Sequence, residues 1–229
     1  MPLPQRYVRN LNALSEADCA ALASAHVTVV GCGGLGGYVV ESLARIGIGH
    51  LRVIDGDIFE QSNLNRQLLA TEGNLGMPKA EAARERVASI NSEVEIDARR
   101  ALLTEENAAE LVAGSDCIVD CLDSLEARFW LAHAASELGI PIVYGAIAGW
   151  FGQACTVYPD DVSFVTVYGQ IEGESAHEEL GNLPFTASVV AAVQAAEAVK
   201  VLTGKGVPLR NRLLMVDLFS GTFDEIELA

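Results

Sequence analysis

The sequence predicts an α/β fold built on a doubly wound, mostly parallel sheet, and three observations predict it. An apolar run, Val27-Thr-Val-Val30, breaks abruptly into glycines, and Gly31, Gly33 and Gly36 fall in G-x-G-x-x-G spacing ahead of an apolar helix. From residue 26 to about residue 146, strand-like and helix-like segments alternate, which implies parallel strands joined by helical crossovers. Asp55 closes the second strand about 20 residues past the glycines, where a carboxylate accepts the ribose hydroxyls of an adenosine. Together these describe a Rossmann-like core. Beyond residue 146 the alternation gives way to extended segments, so antiparallel strands are expected in the C-terminal part.

Each element has its own signal. Ser15 followed by Asp18 reads as a helix cap, with the helix running to about residue 24. Residues 27–30 form the first strand and 35–46 the first crossover helix, which Gly47 and Gly49 end. Residues 51–54 form the second strand, followed by a polar loop over 57–74. Pro78 opens a helix to residue 90, where proline suits the first turn. Residues 94–98 alternate as a strand, Thr104 caps a short helix ending at Gly114, and 117–120 form a fourth strand. Asp123 or Ser124 caps a helix that ends at Gly139, and 142–144 form a fifth strand. Residues 150–158 and 162–168 read as antiparallel extended segments closed by Pro159-Asp-Asp161, and 169–183 as a mobile crossover loop. An alanine- and valine-rich helix over 186–202 is apolar on most faces and is expected to pack on the sheet. Residues 213–218 and 223–228 form a final hairpin across Ser220-Gly221.

With half of its 229 residues hydrophobic, the chain can bury one large core. We read 1–229 as one domain: an arm and helix over 1–25, a nucleotide-binding core over 26–146, and the C-terminal extension over 147–229. The 31 acidic against 15 basic side chains give a formal charge of −16. That balance argues against sequence-independent binding of nucleic acid, which needs a basic face to displace counterions, and against an anionic membrane surface. No uninterrupted apolar stretch approaches the roughly 18–20 residues of a membrane span, and no N-terminal signal segment is evident, so a cytoplasmic location is expected. Cys19, Cys32, Cys117, Cys121 and Cys155 are odd in number and irregularly spaced, which gives no disulfide framework. Cys117 and Cys121 read as small core residues. His26, His50, His133 and His177 show no metal-ligand spacing.

The glycine loop needs its glycines so that the turn can tighten and the backbone can approach a pyrophosphate at the helix N-terminus. By itself it is an address for any adenine nucleotide. A nicotinamide enzyme needs the glycines and Asp55 and little more charge, but this chain adds Arg66, Lys79 and Asp123. Asp123 lies just past the fourth strand, where ligands of such sheets sit. Two cations and a carboxylate suit a triphosphate with Mg2+: the cations offset phosphate charge and Asp123 holds the metal directly or through water. Each residue also has a plainer reading. Arg66 can be a solvated loop residue, Asp123 an N-cap, and Asp57 a turn former rather than a nucleotide contact. Lys79 sits where a helix dipole disfavours a cation, which favours a functional role.

In order along the chain, Gly31-Cys-Gly-Gly-Leu-Gly36, Asp55-Gly-Asp57, Asn63-Leu-Asn-Arg-Gln67, Lys79 and Asp120-Cys-Leu-Asp123 resemble the ThiF/MoeB/HesA family, relatives of the ubiquitin-activating enzymes. The resemblance extends through Gly152-Gln153 and the helix Gln194-Ala-Ala-Glu-Ala-Val-Lys200. It implies an ATP-dependent adenylyltransferase that activates the C-terminal glycine of a ubiquitin-like sulfur carrier protein and releases pyrophosphate, for thiamine, molybdopterin or a related sulfur pathway. Carried over residue by residue, Gly31, Gly33, Gly34 and Gly36 form the phosphate loop and Asp55 holds the ribose. Asn63, Arg66 and Lys79 contact phosphates, Gln67 helps to place the α-phosphate, and Asp123 serves Mg2+. Arg6-Tyr-Val-Arg9 matches the family's N-terminal motif, in which the second arginine reaches the partner subunit's ATP, so the resemblance implies a homodimer with Arg9 acting in trans.

Two departures from the family pattern bear on chemistry. Where many members carry paired zinc-binding cysteines, this chain reads Pro159-Asp-Asp-Val-Ser163 and Phe223-Asp-Glu-Ile-Glu227. No cysteine lies between Thr156 and Ala229, where members often carry one that links to the carrier. No zinc is expected, and the chemistry is expected to stop at the acyl-adenylate. The competing readings are a tRNA-modifying dehydratase of the same superfamily, a non-catalytic nucleotide- or carrier-binding scaffold, and an NAD-dependent oxidoreductase, which leaves Arg66, Lys79 and Asp123 unexplained.

Overall fold

The structure, a computed structural model, describes residues 3–161 and 180–228. A 3-10 turn at Gln5–Asn10 leads into α1 (Glu16–Ser24), which opens on the expected capping box: Ser15 Oγ accepts from the Asp18 N–H, and the Asp18 carboxylate accepts from the Ser15 N–H at 2.6 Å. The core then alternates as β1 (His26–Val30), α2 (Gly36–Ile46), β2 (His50–Ile54), α3 (Lys79–Ile90), β3 (Glu95–Arg99), α4 (Ala108–Val112), β4 (Cys117–Asp120), α5 (Leu125–Leu138) and β5 (Ile142–Ala148). After it come β6 (Phe151–Val157), α6 (Pro184–Thr203), β7 (Arg212–Asp217) and β8 (Thr222–Glu227).

All eight strands join one sheet in the order β3-β2-β1-β4-β5-β6-β7-β8. The first five run parallel, and β6, β7 and β8 each pair antiparallel with the strand before. Strand order therefore reverses between β1 and β4, and the crevice outside the carboxyl ends of these two strands is where such sheets bind ligands. Side-chain alternation divides the core. Val27 and Val29 face α2, α3 and α6, whereas Val30 faces α4 and α5.

α6 is long and apolar enough, by length and composition alone, to cross a membrane. Its buried face nevertheless carries Gln194 and Glu197, both hydrogen-bonded to the sheet side of the molecule. Gln194 donates to the carbonyl of Asp120, and Glu197 accepts from Thr156 Oγ1 and the Leu209 N–H.

Several boundaries differ from the sequence reading. The helix expected from Thr104 begins at Ala108, because Asn107 folds back: its side chain accepts from the Thr104 N–H and donates to the Leu102 carbonyl, holding 104–107 as a turn. Ser124, not Asp123, caps α5, accepting from the Ala127 N–H. β5 is longer than expected and pairs with β6 over seven residues, and the other neighbour of β6 is β7. The segment expected at 162–168 and most of the expected crossover loop over 169–183 lie outside the described residues.

Candidate active site

At the switch point a cavity of about 230 Å³ opens over the carboxyl ends of β1, β2 and β4. Small-molecule sites begin at about 300 Å³, so an occupant of nucleotide size extends beyond this cavity's mouth. Gly31, Gly33 and Gly34 form one wall and Asp55, Gly56 and Asp57 the next; Arg66, Gln67 and Lys79 come from the loop and helix after β2, and Asp123 from the end of β4. Most of the sequence-predicted site residues therefore meet in one place.

The glycine turn is built so tightly that side chains are excluded. Gly31 has φ +94°, and a Cβ there would lie 2.6 Å from the Cys121 carbonyl oxygen. A Cβ on Gly36 would lie 1.8 Å from the Gly31 carbonyl oxygen. Gly36 consequently does not line the cavity as expected; it is buried at the start of α2 and lets the helix approach the turn.

Asp55 fastens this turn to the next. Its carboxylate accepts the Cys32 N–H at 2.7 Å and the Asp57 N–H at 2.8 Å. Burial pushes its carboxyl above the usual aspartate range, against these hydrogen bonds and the nearby Lys79. Lys79 is only 7% exposed, at the first position of α3, and its ammonium meets the Asp57 carboxylate at 3.0 Å. A cation at a helix N-terminus opposes the helix dipole, so Asp57 compensates a charge that the helix itself does not want there. Asp57 thus lines the cavity as the partner of Lys79.

The loop motif divides its work. Arg66 lies against Gly34 and donates to the Ser62 carbonyl and Asn65 Oδ1, which holds it over the turn rather than in open solvent. Gln67 is buried beside Gly33, and its Oε1 has no hydrogen-bond partner among the described residues. A buried acceptor left unsatisfied in a cavity wall calls for a ligand or water to complete it. Asn63, expected at a phosphate, lies in the same loop and has a structural bond of its own. Its Oδ1 accepts the Glu60 N–H at 3.0 Å, and it does not line the cavity.

Asp123 is exposed at the cavity, with no side-chain hydrogen bond or ion pair among the described residues. Since Ser124 takes the cap, the carboxylate is left free toward the cavity. A single carboxylate suits Mg2+, which is commonly held by one or two carboxylates together with substrate phosphates and water.

Sequence reading missed Arg128. It is 4% exposed and lines the cavity floor, where Nη1 donates to the Gly145 carbonyl at 3.0 Å and approaches the Asp120 carboxylate at 3.4 Å. Nη2 donates to the Leu122 carbonyl, and the guanidinium stacks 4.7 Å from the centre of the Tyr144 ring. Burial pushes the Asp120 carboxyl up while Arg128 draws it down. The available signal was an arginine on the apolar stripe of α5 paired with an aspartate ending a buried strand.

The thiols on the strands and turns around the cavity are buried. Burial raises Cys32 and Cys121 well above the ordinary thiol range, and Cys155 to about 12, so none offers a thiolate at neutral pH. Arg9 lies elsewhere. It is exposed in the N-terminal 3-10 turn, whose Tyr7 packs on Gly47 past the far end of α2, about 16 Å of helix from the glycine turn.

The same arrangement has known relatives. The ThiF family model matches residues 7–229. The SAMP-activating enzyme E1 of Haloferax volcanii is 38% identical over 211 residues, covering 90% of this chain and 77% of that protein. The sulfur carrier protein adenylyltransferase of Thermus thermophilus is 35% identical, covering 90% and 79%, and the molybdopterin-synthase adenylyltransferase of Escherichia coli is 34% identical, covering 91% and 85%. Among solved structures, E. coli MccB with ATP shares the fold at a TM-score of 0.85 and 21% identity, over 99% of this chain and 72% of that one. With its residues matched nearly end to end, this chain belongs to the ThiF family.

Proposed function

We propose that this protein adenylates the C-terminal glycine carboxylate of a ubiquitin-like sulfur carrier protein, using ATP with Mg2+ and releasing pyrophosphate. The observation that carries the reading is the convergence of Arg66, Lys79 and an exposed Asp123 on one glycine turn beside Asp55. The names of relatives at 34–38% identity, two of them adenylyltransferases and one an activating enzyme, agree with it.

In this reaction a carboxylate oxygen of the carrier attacks the α-phosphorus. The bond from that phosphorus to the β-bridging oxygen breaks, and pyrophosphate leaves. Attack of one anion on another needs placement and charge neutralisation more than covalent help from the protein. Asp55 receives the ribose hydroxyls, the glycine turn and the start of α2 receive phosphate, and Arg66 and Lys79 neutralise it. Gln67 Oε1 and Nε2 offer further polar contacts beside Gly33. Bound Mg2+ would supply additional neutralisation of phosphate charge, with Asp123 as its protein ligand. The raised thiols beside the cavity support a reaction that ends at the acyl-adenylate, with sulfur delivered by another protein. Arg9 would complete the partner subunit's site in a homodimer, a role compatible with its distance from its own cavity.

Carrier-dependent exchange of labelled pyrophosphate into ATP tests the reading. Exchange should require a carrier ending in Gly-Gly, and Asp123→Ala should lower it by about 100-fold or more. Absence of exchange with every such carrier, or full exchange by Asp123→Ala, would end the assignment.

A further inference from the structure

We propose that Arg128 is a positioning residue that sets the Asp123 carboxylate for the metal, acting through the backbone of the turn between them. The inference rests on the adenylation reading above and deepens it. The turn leaving β4 is held at the residue just before Asp123, from both sides. The Leu122 N–H donates to Asp120 Oδ1 at 2.9 Å, and the Leu122 carbonyl accepts from Arg128 Nη2. The preceding N–H, that of Cys121, donates to the Val30 carbonyl at 2.9 Å, and the Asp120 carbonyl is held by Gln194 at 2.7 Å. Cys121 and Leu122 also line the cavity, but Asp123 is the first residue of this turn to bring it a carboxylate, and the backbone supporting it has little freedom.

Arg128 does not serve as a phosphate ligand. It is almost wholly buried, its charge is opposed by Asp120, and its hydrogen bonds go to two carbonyls, one in the turn after β4 and one within β5. Nor is stability a sufficient reason for the pair, because a buried ion pair is often no better than well-packed apolar side chains of the same volume. What an apolar replacement cannot supply is the fork. A planar guanidinium reaches the Leu122 carbonyl past β4 and the Gly145 carbonyl within β5 at once, and Tyr144 fixes its plane from the face. The Tyr144 hydroxyl in turn accepts from Gln153 on β6, so the clamp is anchored three strands deep. A lysine ammonium keeps the charge beside Asp120 and loses the fork.

The test is calorimetric titration with ATP in Mg2+ and in EDTA, which reads binding rather than turnover. The wild-type chain should bind ATP more tightly with metal, and Asp123→Ala should lose that gain. Arg128→Lys should lose about tenfold or more of the same gain, as supporting residues of metal ligands commonly do, while metal-free ATP binds as in the wild type. If the lysine variant fails to fold, the double substitution Asp120→Asn with Arg128→Gln removes both charges together and leaves none buried alone; it too should lose the metal-dependent gain. A gain present in the wild type, absent in Asp123→Ala and intact in either folded Arg128 variant would overturn this inference and leave the reading of Asp123 standing. Equal loss of metal-free binding would also overturn it, since the floor of the cavity would then be generally damaged. No metal-dependent gain in the wild type would end the reading of Asp123 and this inference with it.

Discussion

Gly34 and Gly36 stand two residues apart in the same turn, and the structure gives them opposite tolerances. A Cβ on Gly36 meets the backbone oxygen of Gly31 at 1.8 Å, whereas a Cβ on Gly34 meets only the flexible side chain of Arg66, no closer than 3.8 Å. Backbone against backbone cannot relieve the clash by a rotamer change, so α2 must shift away from the turn that it closes. Gly36→Ala should therefore cost about 3 kcal/mol or more in urea unfolding, at the upper end of overpacking penalties, and should lose ATP-induced thermal stabilisation. Gly34→Ala should unfold within about 0.5 kcal/mol of the wild type, as surface substitutions without special features do. Equal midpoints for the two variants would contradict this account. The same scale explains which site residues could be read from sequence. Lys79 and Asp123 stood out because a charge at a helix start or strand end needs a reason, whereas Arg66, in a loop, stood out only as part of the ordered set of motifs. Asn63 is less legible, because an amide in a polar loop satisfies a backbone N–H as readily as a ligand, and spacing does not distinguish these uses.

Among the elements, α1 shows how an N-terminal segment is fastened to the core. Asp18 accepts from the N–H and hydroxyl of Ser15 within its own capping box, and it also meets Lys205, just past the end of α6, at 3.0 Å. The Ser15 hydrogen bonds, followed by Lys205, hold its carboxyl down to about 2 from an ordinary 3.8. A carboxyl depressed on folding adds stability that is fully present above its unfolded value and is lost as pH falls through its folded value. Asp18→Asn should consequently lower the melting temperature at neutral pH, and the difference between the two chains should shrink below about pH 4 and disappear only below about pH 2. A difference independent of pH would show that the amide fails for some reason other than charge. The cap itself was readable from Ser15 and Asp18; the contact with Lys205 was not, because it joins residues 187 positions apart. The short α4 failed for a related reason. Thr104 and Asn107 are both acceptable caps by residue type, but the Asn107 side chain is turned back to the Thr104 N–H and the Leu102 carbonyl, which keeps 104–107 out of the helix.

The described residues are organised on one eight-stranded sheet, and its parallel half was the half that sequence describes well. The β1-α2 and β4-α5 units there are local, each with a buried strand, a glycine or capped turn, and a helix within about 30 residues. The antiparallel half depends on partners distant in sequence, since β6 pairs with β7 across residues 158–211, so its register could not be read from local pattern. Arg128 is the comparable case within the site, tying the exit of β4 to the middle of β5 through carbonyls that carry no sequence signature. Arg9 extends the question beyond one chain. It is exposed past the far end of α2 and away from the cavity lined by Asp123. If Arg9 serves the partner's site in a two-fold dimer, then every site draws Asp123 from one chain and Arg9 from the other. Arg9→Ala alone and Asp123→Ala alone should then both be inactive, for different sites. Mixed in equal amounts with full subunit exchange, about half of the dimers are heterodimers, and each of these has one site with both residues intact. About a quarter of all sites should thus regain pyrophosphate exchange, where simple addition of the two inactive chains predicts none. Recovery should rise with the rate of subunit exchange and disappear if the dimers are cross-linked before mixing. No recovery after exchange has been verified by mass would place Arg9 outside the reaction or confine it to its own chain.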